Sequence, residues 1–269
     1  MSTYTPSKHQ EFKSTFDREG YLIVKDLVSP SELAEIRATI DRAMEGTLKP
    51  QPLNGEAARA DFNIGYEPAV KDDASIPRHL KIRQISDMCH MHPFFWKHAT
   101  RPEILDVVEA LIGPDIKIFT DTLFVKPARH GTEIPIHQDA SYWNFFDPPL
   151  LMTCWLAIDD STIENGCVRV IPGSHRAKMS HKEGKGDLRF SLNMNELDLS
   201  KEVPVTLKAG SAMFHHAYTV HRSLPNQSDR SRRGLACIYL PSSLRQVKPF
   251  SFPFGWKQIR GKAHAGCVA

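Results

Sequence analysis

The chain has 269 residues, of which 41% are hydrophobic and 24% are charged, a composition typical of a globular protein. The net charge of +3 excludes the dense basic surface of a general nucleic-acid-binding protein, so no nucleic-acid partner is expected. Without a long apolar run or an apolar N-terminus, we expect a cytoplasmic protein that has no membrane partner. The five scattered cysteines predict reduced thiols.

The first part of the chain, residues 1–113, predicts mostly helical support for a sheet. One helix is expected to begin at Ser29, where Ser-Pro-Ser-Glu forms a capping box with proline at the first helical position. A second capping box predicts another helix from Thr100, which ends at Gly113. Between them, residues 45–78 are polar and rich in Gly, Pro and Ala, which indicates a long irregular excursion.

Residues 114–245 predict the core of a single domain that spans residues 1–269, with residues 246–269 as a C-terminal tail. Short β-rich runs alternate with turn residues in this part of the chain. The runs are residues 116–125, 152–158, 168–171, 203–207, 212–214 and 235–240. This pattern is typical of an antiparallel sandwich or barrel, and the helices are expected to cover one of its sheets.

Three histidines are followed two positions later by an acidic residue. The pair that begins at His9 lies in a candidate helix, where such side chains diverge, and the pair that begins at His181 lies in a polar loop. Both are interpreted as solvated surface. His137 and Asp139 follow an extended Ile-Pro-Ile segment, where residues two apart share a face. An imidazole and a carboxylate can therefore converge there on a metal ion.

A metal held by this pair needs a third ligand, and His221 follows a strand-like segment farther along the chain. Two imidazoles and one carboxylate form the facial triad of non-haem iron(II) oxygenases, which leaves three coordination positions open for cosubstrate and dioxygen. His215 and His216 are alternative third ligands. A guanidinium at Arg232 can grip the far carboxylate of a 2-oxo acid, and Ser223 can add a hydroxyl donor.

An ordered set of motifs extends these observations over most of the chain. The set comprises His137-Gln138-Asp139, Trp155, Glu-Asn-Gly-Cys-Val-Arg-Val-Ile-Pro-Gly-Ser-His at 164–175, His-Arg-Ser-Leu-Pro-Asn at 221–226, and Arg232. It resembles the phytanoyl-CoA dioxygenase family, and the resemblance extends from Phe16 to Tyr239. It implies a mainly β fold, a double-stranded β-helix or jelly roll with flanking helices. It also implies oxidation of small molecules with iron(II), 2-oxoglutarate and dioxygen.

The resemblance implies a role for eight residues: His137, Asp139 and His221 as iron ligands, Arg232 as the 2-oxoglutarate clamp, and Thr122, Trp155, Ser223 and Lys81 as further cosubstrate contacts. Arg230 and Arg233 are alternatives to Arg232. Because neighbouring strand residues face opposite ways, Arg232 and Arg233 cannot both point inward. Trp155 is alternatively a core aromatic. The Asn-Gly pair that ends at Gly166 predicts a hairpin turn.

The expected activity is hydroxylation of an unactivated C–H bond of a small molecule, with release of succinate and carbon dioxide. The alternatives are a metal-binding jelly-roll protein without oxygenase activity and a zinc-dependent hydrolase that uses the same ligands. After Asp229 the chain contains eight basic residues and no acidic one. This asymmetry favours an anionic substrate, such as a carboxylate, a phosphonate or a coenzyme-A thioester.

Three loops are expected to supply the side chains that recognise the substrate, namely residues 54–73, 141–147 and 174–202. The segment from His175 to Val203 carries polar and small residues in place of a strand pattern, which predicts a mobile lid over the bound substrate. The C-terminal tail, with its interleaved aromatic and basic residues, is the alternative candidate for closing the pocket.

Overall fold

The computed structural model describes residues 3–51, 53, 59–146, 148–184 and 190–268. The helices are α1 (Pro6–Glu19), α2 (Pro30–Glu45), α3 (Met88–Met91), α4 (Pro93–Ala99) and α5 (Pro102–Ile112). The strands are β1 (Tyr21–Val24), β2 (Asn63–Tyr66), β3 (Ile82–Ser86), β4 (Ile116–Lys126), β5 (Ile134–His137), β6 (Met152–Ala157), β7 (Val168–Val170), β8 (Lys182–Glu183), β9 (Phe190–Ser191), β10 (Val203–Val205), β11 (Ala212–His216), β12 (His221–Ser223), β13 (Arg232–Pro241) and β14 (Lys257–Arg260).

Two antiparallel sheets form the body of the molecule. The major sheet has the strand order β1-β11-β6-β13-β4-β3-β2, and β14 also pairs with β4. The minor sheet has the order β10-β7-β12-β5, and a small ribbon of β8 and β9 lies beside it. Except for the consecutive strands β2, β3 and β4, the neighbours in each sheet are distant in sequence, as in a jelly roll. The predicted mainly β jelly-roll fold is confirmed.

The helices cover the outer face of the major sheet. Apolar residues of α2 and α5, such as Ile40 and Ile104, share one buried core with outward-facing strand residues such as Phe214 and Leu235. The start of α2 is as predicted, because the Ser29 side chain accepts a hydrogen bond from the Glu32 backbone and the Glu32 side chain accepts one from the Ser29 backbone. The prediction that helices cover one sheet is confirmed.

The predicted capping box at Thr100 is wrong. Helix α5 begins at Pro102, its N-cap is Arg101, and no side chain caps it. Thr100 instead ends the preceding helix α4, and its hydroxyl donates a hydrogen bond of 2.8 Å to the Trp96 carbonyl oxygen. The end of α5 at Gly113 agrees with the prediction. Thr100 therefore belongs to the end of α4, although the sequence pattern assigned it to the start of α5.

The first part of the chain supplies strands as well as helices. Strands β1, β2 and β3 all lie in the major sheet. The expected irregular excursion over residues 45–78 contains β2, an edge strand whose residues are exposed or half-buried. An edge strand without a buried face has no apolar alternation for a sequence pattern to detect. Part of the excursion, residues 54–58, lies outside the described residues.

The turn at Gly166 is present, but it does not form the predicted hairpin. Gly166 has a φ of 79°, and the Asn165 side chain accepts a hydrogen bond of 2.8 Å from the Thr162 backbone. The flanking strands β6 and β7 belong to different sheets, so the turn carries the chain from one sheet to the other. A Cβ at Gly166 would lie 2.4 Å from the Leu224 carbonyl oxygen, which excludes a larger residue.

Two further expectations concern the cysteines and the membrane. All five cysteines are free thiols; Cys89, Cys154, Cys167 and Cys237 are buried, and Cys267 is partly exposed. In the part of the chain that the structure describes, no helix combines the length and the apolar composition needed to cross a lipid bilayer.

Candidate active site

Three of the predicted ligands converge at one end of the minor sheet. His137 at the end of β5 and His221 at the start of β12 are register partners, and their ring centroids lie 4.3 Å apart. Asp139 follows β5, and its Oδ1 lies 3.3 Å from His137 Nε2 and 3.5 Å from His221 Nε2. One ligand atom from each residue lies within 4.8 Å of the other two. This geometry fits one metal ion.

The hydrogen bonds around the two histidines fix their tautomers. His137 Nδ1 lies 2.7 Å from the Pro135 carbonyl oxygen, and His221 Nδ1 lies 2.9 Å from that of Thr219. A carbonyl oxygen only accepts, so each Nδ1 carries the hydrogen and each Nε2 presents its lone pair beside Asp139. This arrangement is the one that metal-binding histidines adopt.

The charge states also suit a metal. Burial, followed by the neighbouring His137, lowers the pKa of His221 to about 3, so this imidazole is neutral. Burial opposes ionisation of Asp139, but its interactions with the surrounding histidines, including a hydrogen bond from His215 Nε2 to Oδ2, hold its pKa well below the usual range. Neutral imidazoles and an ionised carboxylate are the forms that bind a divalent transition metal.

The two alternative ligands lie on opposite faces of β11. His215 faces the interior, and its Nε2 lies 3.1 Å from Asp139 Oδ2, the oxygen that points away from the other two imidazoles. His216 faces outward, where its ring lies 6.0 Å from Phe16 of α1. The structure therefore groups His221, and neither alternative, with His137 and Asp139.

The triad opens into a cavity of about 480 Å³ between the two sheets. Four of the five predicted cosubstrate residues line this cavity, namely Thr122, Trp155, Ser223 and Arg232. The structure does not bring the fifth, Lys81, to it: Lys81 Nζ lies 3.5 Å from the Lys71 carbonyl oxygen. The neighbouring strand β3 presents Gln84 to the cavity instead.

Arg232 is a buried residue of the cavity lining. Its Nη2 donates a hydrogen bond of 2.9 Å to the Gly166 carbonyl oxygen, so the turn between the sheets positions it. Its Nε is buried and has no hydrogen-bond partner among the described residues. The Trp155 ring centroid lies 5.3 Å from Cζ. Burial lowers the pKa of Arg232 to about 10, which leaves the guanidinium charged at neutral pH.

Trp155 approaches Arg232 because of Gly234. A Cβ at Gly234 would lie 2.0 Å from the Trp155 ring. Any larger residue would thus displace the indole from the cavity wall.

The two competing arginines do not enter the cavity: Arg230 is exposed, and Arg233 pairs at 2.8 Å with Asp159 on the other side of the sheet.

Lys126 is a cavity residue that the sequence patterns did not single out. It is the register partner of Arg232, and its ammonium group donates to the Thr132 carbonyl oxygen and lies 3.5 Å from that of Ser223. Burial, followed by the charge of Arg232, lowers the pKa of Lys126 to about 6. Arg232 and Lys126 side by side fit an anionic group, whose charge would favour the protonated form of Lys126. Alternation along β4 from Thr122 is the signal that points to Lys126.

The opposite end of the cavity is aromatic. Phe119, Tyr142 and Trp143 line it, and the Tyr142 ring centroid lies 5.8 Å from that of His137. The C-terminal tail packs behind this wall, because Phe252 and Trp256 each lie 4.9 Å from Phe119. The tail thus supports the wall and does not itself line the cavity.

The predicted substrate loops contribute unequally. Residues 54–73 supply Glu67, and residues 141–147 supply Tyr142 and Trp143; residues 54–58 and 147 lie outside the described part. The described part of the loop 174–202 supplies no residue to the cavity lining. Strand residues such as Thr120 and Ile238 line it instead.

The segment from His175 to Val203 lies against the minor sheet. Its Phe190 ring lies 4.8 Å from Tyr142, and Glu202 forms ion pairs of 2.6 Å with both Arg169 and Arg222. Residues 185–189 lie outside the described residues. The lid therefore stays a prediction, with its C-terminal end held by these two arginines.

Solved structures with similar folds include several oxygenases. EctD from S. alaskensis, solved with 2-oxoglutarate and 5-hydroxyectoine, superposes with a TM-score of 0.72 at 22% identity, covering 100% of this chain and 88% of that one. The epimerase SnoN, solved with Fe³⁺, α-ketoglutarate and nogalamycin RO, superposes with a TM-score of 0.65 at 20% identity, covering 95% and 100%. At these identities the likeness supports the fold.

Similar sequences include the peroxisomal phytanoyl-CoA dioxygenase of Homo sapiens, 24% identical over 94% of this chain and 75% of that protein. The phytanoyl-CoA dioxygenase domain-containing protein 1 of Danio rerio is 27% identical over 86% and 88%. The model of the phytanoyl-CoA dioxygenase (PhyH) family matches residues 16–234. With the triad in place, this match shows that the chain belongs to the phytanoyl-CoA dioxygenase family and is an iron(II)- and 2-oxoglutarate-dependent oxygenase.

Proposed function

We propose that this enzyme hydroxylates an unactivated C–H bond of a small molecule and converts 2-oxoglutarate to succinate and carbon dioxide. The observation that carries the proposal is the placement of an open triad and a buried, incompletely bonded Arg232 in one cavity. A protein that only binds a metal, or a zinc hydrolase, has no need of that guanidinium. The arginine distinguishes the oxygenase from these two alternatives.

The residues present fit both cofactors. His137, Asp139 and His221 would hold iron(II), because two imidazoles and one carboxylate leave coordination positions for a bidentate ligand and dioxygen. Arg232, with Lys126 beside it, would bind the distal carboxylate of 2-oxoglutarate. The buried Arg232 Nε without a partner among the described residues is the donor that such a carboxylate would satisfy.

When bound, iron(II), 2-oxoglutarate and dioxygen together supply the oxidising power for the reaction. The chain supplies positioning. Ser223, Thr122 and Trp155 wall the cosubstrate end of the cavity, which excludes water from the charged groups and strengthens their interactions. Tyr142 and its neighbours confine the substrate beside His137.

The lining argues for a substrate that is apolar near the reacting carbon. Phe119, Tyr142 and Trp143 form the wall beside the triad, and apolar walls bind apolar groups. Two cations at the rim are already paired, Arg83 with Glu67 and Arg222 with Glu202. Of the eight basic residues after Asp229, which favoured an anionic substrate, only Arg232 lies in the lining. We therefore rank uncharged apolar compounds above carboxylates, phosphonates and coenzyme-A thioesters.

The test is a screen for substrate-dependent succinate release in the presence of iron(II), 2-oxoglutarate and dioxygen. We expect release with uncharged apolar compounds and little with phosphonates or coenzyme-A thioesters. Stronger release with the anionic classes would overturn the ranking. Hydrolysis of esters by the zinc-loaded protein, with no succinate release from any compound, would favour the hydrolase.

The cytoplasmic location stays a prediction, since several relatives are named as peroxisomal.

A further inference from the structure

The two carboxylate oxygens of Asp139 have different surroundings. Oδ1 faces the Nε2 atoms of His137 and His221, at 3.3 and 3.5 Å. Oδ2 faces two other side chains: His215 Nε2 lies 3.1 Å away, and the Thr153 hydroxyl lies 3.3 Å away. One oxygen is therefore available to a metal, and the other is held by donors from the protein.

The two donors stand on rigid elements. His215 on β11 and Thr153 on β6 are register partners in the major sheet, and both side chains point inward. Both residues are buried, with 3% and 4% of their surface exposed. Neither donor lies on a loop, so the pairing of the two strands fixes the positions of both donors around Oδ2.

A histidine buried at position 215 costs free energy of folding. A carboxylate oxygen only accepts, so His215 Nε2 carries the hydrogen and Nδ1 bears a lone pair. That Nδ1 is buried and has no partner within the described structure, which costs free energy that an apolar side chain would avoid. His215 is therefore not explained by stability.

We propose that His215 is a positioning residue that holds Asp139 Oδ2, with Thr153, so that the carboxylate offers a metal a single oxygen. A carboxylate free to turn can chelate with both oxygens and take a second coordination position, which 2-oxoglutarate or dioxygen needs. Outer partners of metal ligands commonly set metal affinity in this way. The inference rests on the proposed metal centre.

The decisive comparison is His215→Gln with His215→Met, two side chains of similar length that differ in the donor. We expect the Met variant to bind cobalt(II) about 10- to 100-fold more weakly than the Gln variant in calorimetric titrations without 2-oxoglutarate. A purely structural role predicts equal affinities or a weaker Gln variant. Either result would overturn the proposal.

A second pair keeps the test open if changes at His215 unfold the protein. Thr153→Val should weaken cobalt(II) binding more than Thr153→Ser, because only serine keeps the hydroxyl. Equal affinities in this pair would again overturn the shared hold on Oδ2. In the nickel(II)-loaded proteins, which report binding without turnover, the variants that lack a donor should also bind 2-oxoglutarate more weakly than their partners.

Two controls separate this inference from the proposed function. His216→Gln changes the neighbouring histidine on the outer face and should leave the cobalt(II) affinity unchanged. Wild-type protein that binds no cobalt(II) would contradict the metal centre itself. Wild-type binding with no difference between His215→Gln and His215→Met would contradict only the role of His215.

Discussion

The two faces of the major sheet have different roles, although the same strands form both. On β13, Leu235 and Tyr239 point outward into the core beneath the helices, where even the Tyr239 hydroxyl donates a hydrogen bond of 2.7 Å to Ala99. From the same strand Arg232 points inward, with a buried Nε that lacks a partner among the described residues. The outer face stabilises the fold, and the inner face keeps polar atoms for groups outside the chain.

The same contrast runs along β11. Phe214 is fully buried under the helices, whereas His215 faces the cavity with an Nδ1 that has no partner among the described residues. Strand alternation thus separates residues that stabilise the protein from residues that serve the reaction. The comparison predicts that inner-face variants lose function while keeping the fold, and that outer-face variants do the reverse.

The largest expected effect is the loss of a ligand on the inner side. His221→Ala should lower turnover at least about a thousandfold, about 4 kcal/mol of transition-state stabilisation, because it removes a donor from the triad. Its melting temperature should stay close to that of the wild type. Full activity of this variant in succinate-release assays with added iron would instead identify His215 as the third ligand.

The opposite result is expected on the outer face. Phe214→Ala should lower the free energy of unfolding by about 3–5 kcal/mol, because it opens a void in a closely packed core. Urea denaturation measures this loss. The 2-oxoglutarate affinity of the folded protein should not change. Ile23→Ala on the adjacent strand, where the residue is 40% exposed, is the control and should cost about 0.5 kcal/mol. Similar losses of unfolding free energy in Phe214→Ala and Ile23→Ala would contradict the comparison.

Arg232 and Arg233, which are adjacent on β13 and face opposite sides of the sheet, test the same contrast between the two faces. Arg232→Ala should weaken 2-oxoglutarate binding by about 2–5 kcal/mol, since a buried carboxylate would lose its charged partner. Arg233→Ala removes the ion pair with Asp159 and should affect stability more than binding. Calorimetric titration of 2-oxoglutarate into both variants decides the matter. A greater loss of binding in Arg233→Ala would show that the wrong arginine has been assigned.

The smallest effect concerns a polar group on the outer side. Both ring nitrogens of His98 are buried without a partner in the described chain, and burial lowers its pKa to about 3. Below pH 6.5 the unfolded chain therefore takes up a proton that the folded protein excludes, and stability is lost as the pH falls. At pH 5 this term is about 2 kcal/mol.

His98→Leu should remove that term and make the protein more stable in acid, as measured by urea denaturation at pH 5 and pH 7. His79→Leu, at an exposed histidine, should leave the pH dependence as it is in the wild type. An unchanged acid sensitivity of His98→Leu would mean that His98 can be protonated inside the folded protein.

Local sequence determined six strands of residues 114–245, namely β4, β6, β7, β10, β11 and β13, together with the start of α2 at Ser29 and the short list of metal and cosubstrate candidates. Each of these depends on residues near one another in the chain. Alternation of apolar residues marks a buried strand, and a capping box satisfies the first amides of its own helix. His137 and Asp139 share a strand-like segment, so their convergence needs no distant partner.

Tertiary structure alone decided the features that join distant segments. Lys126 lies beside Arg232, and His215 beside Asp139 and Thr153, because of strand register, which no local pattern encodes. Lys81 lies outside the cavity, in the turn that precedes β3. Because β6 and β7 pair within different sheets, the turn at Gly166 is a crossover and not a hairpin. The physical reason is that a strand's own residues set its alternation, whereas its neighbours are chosen by the burial of the whole sheet.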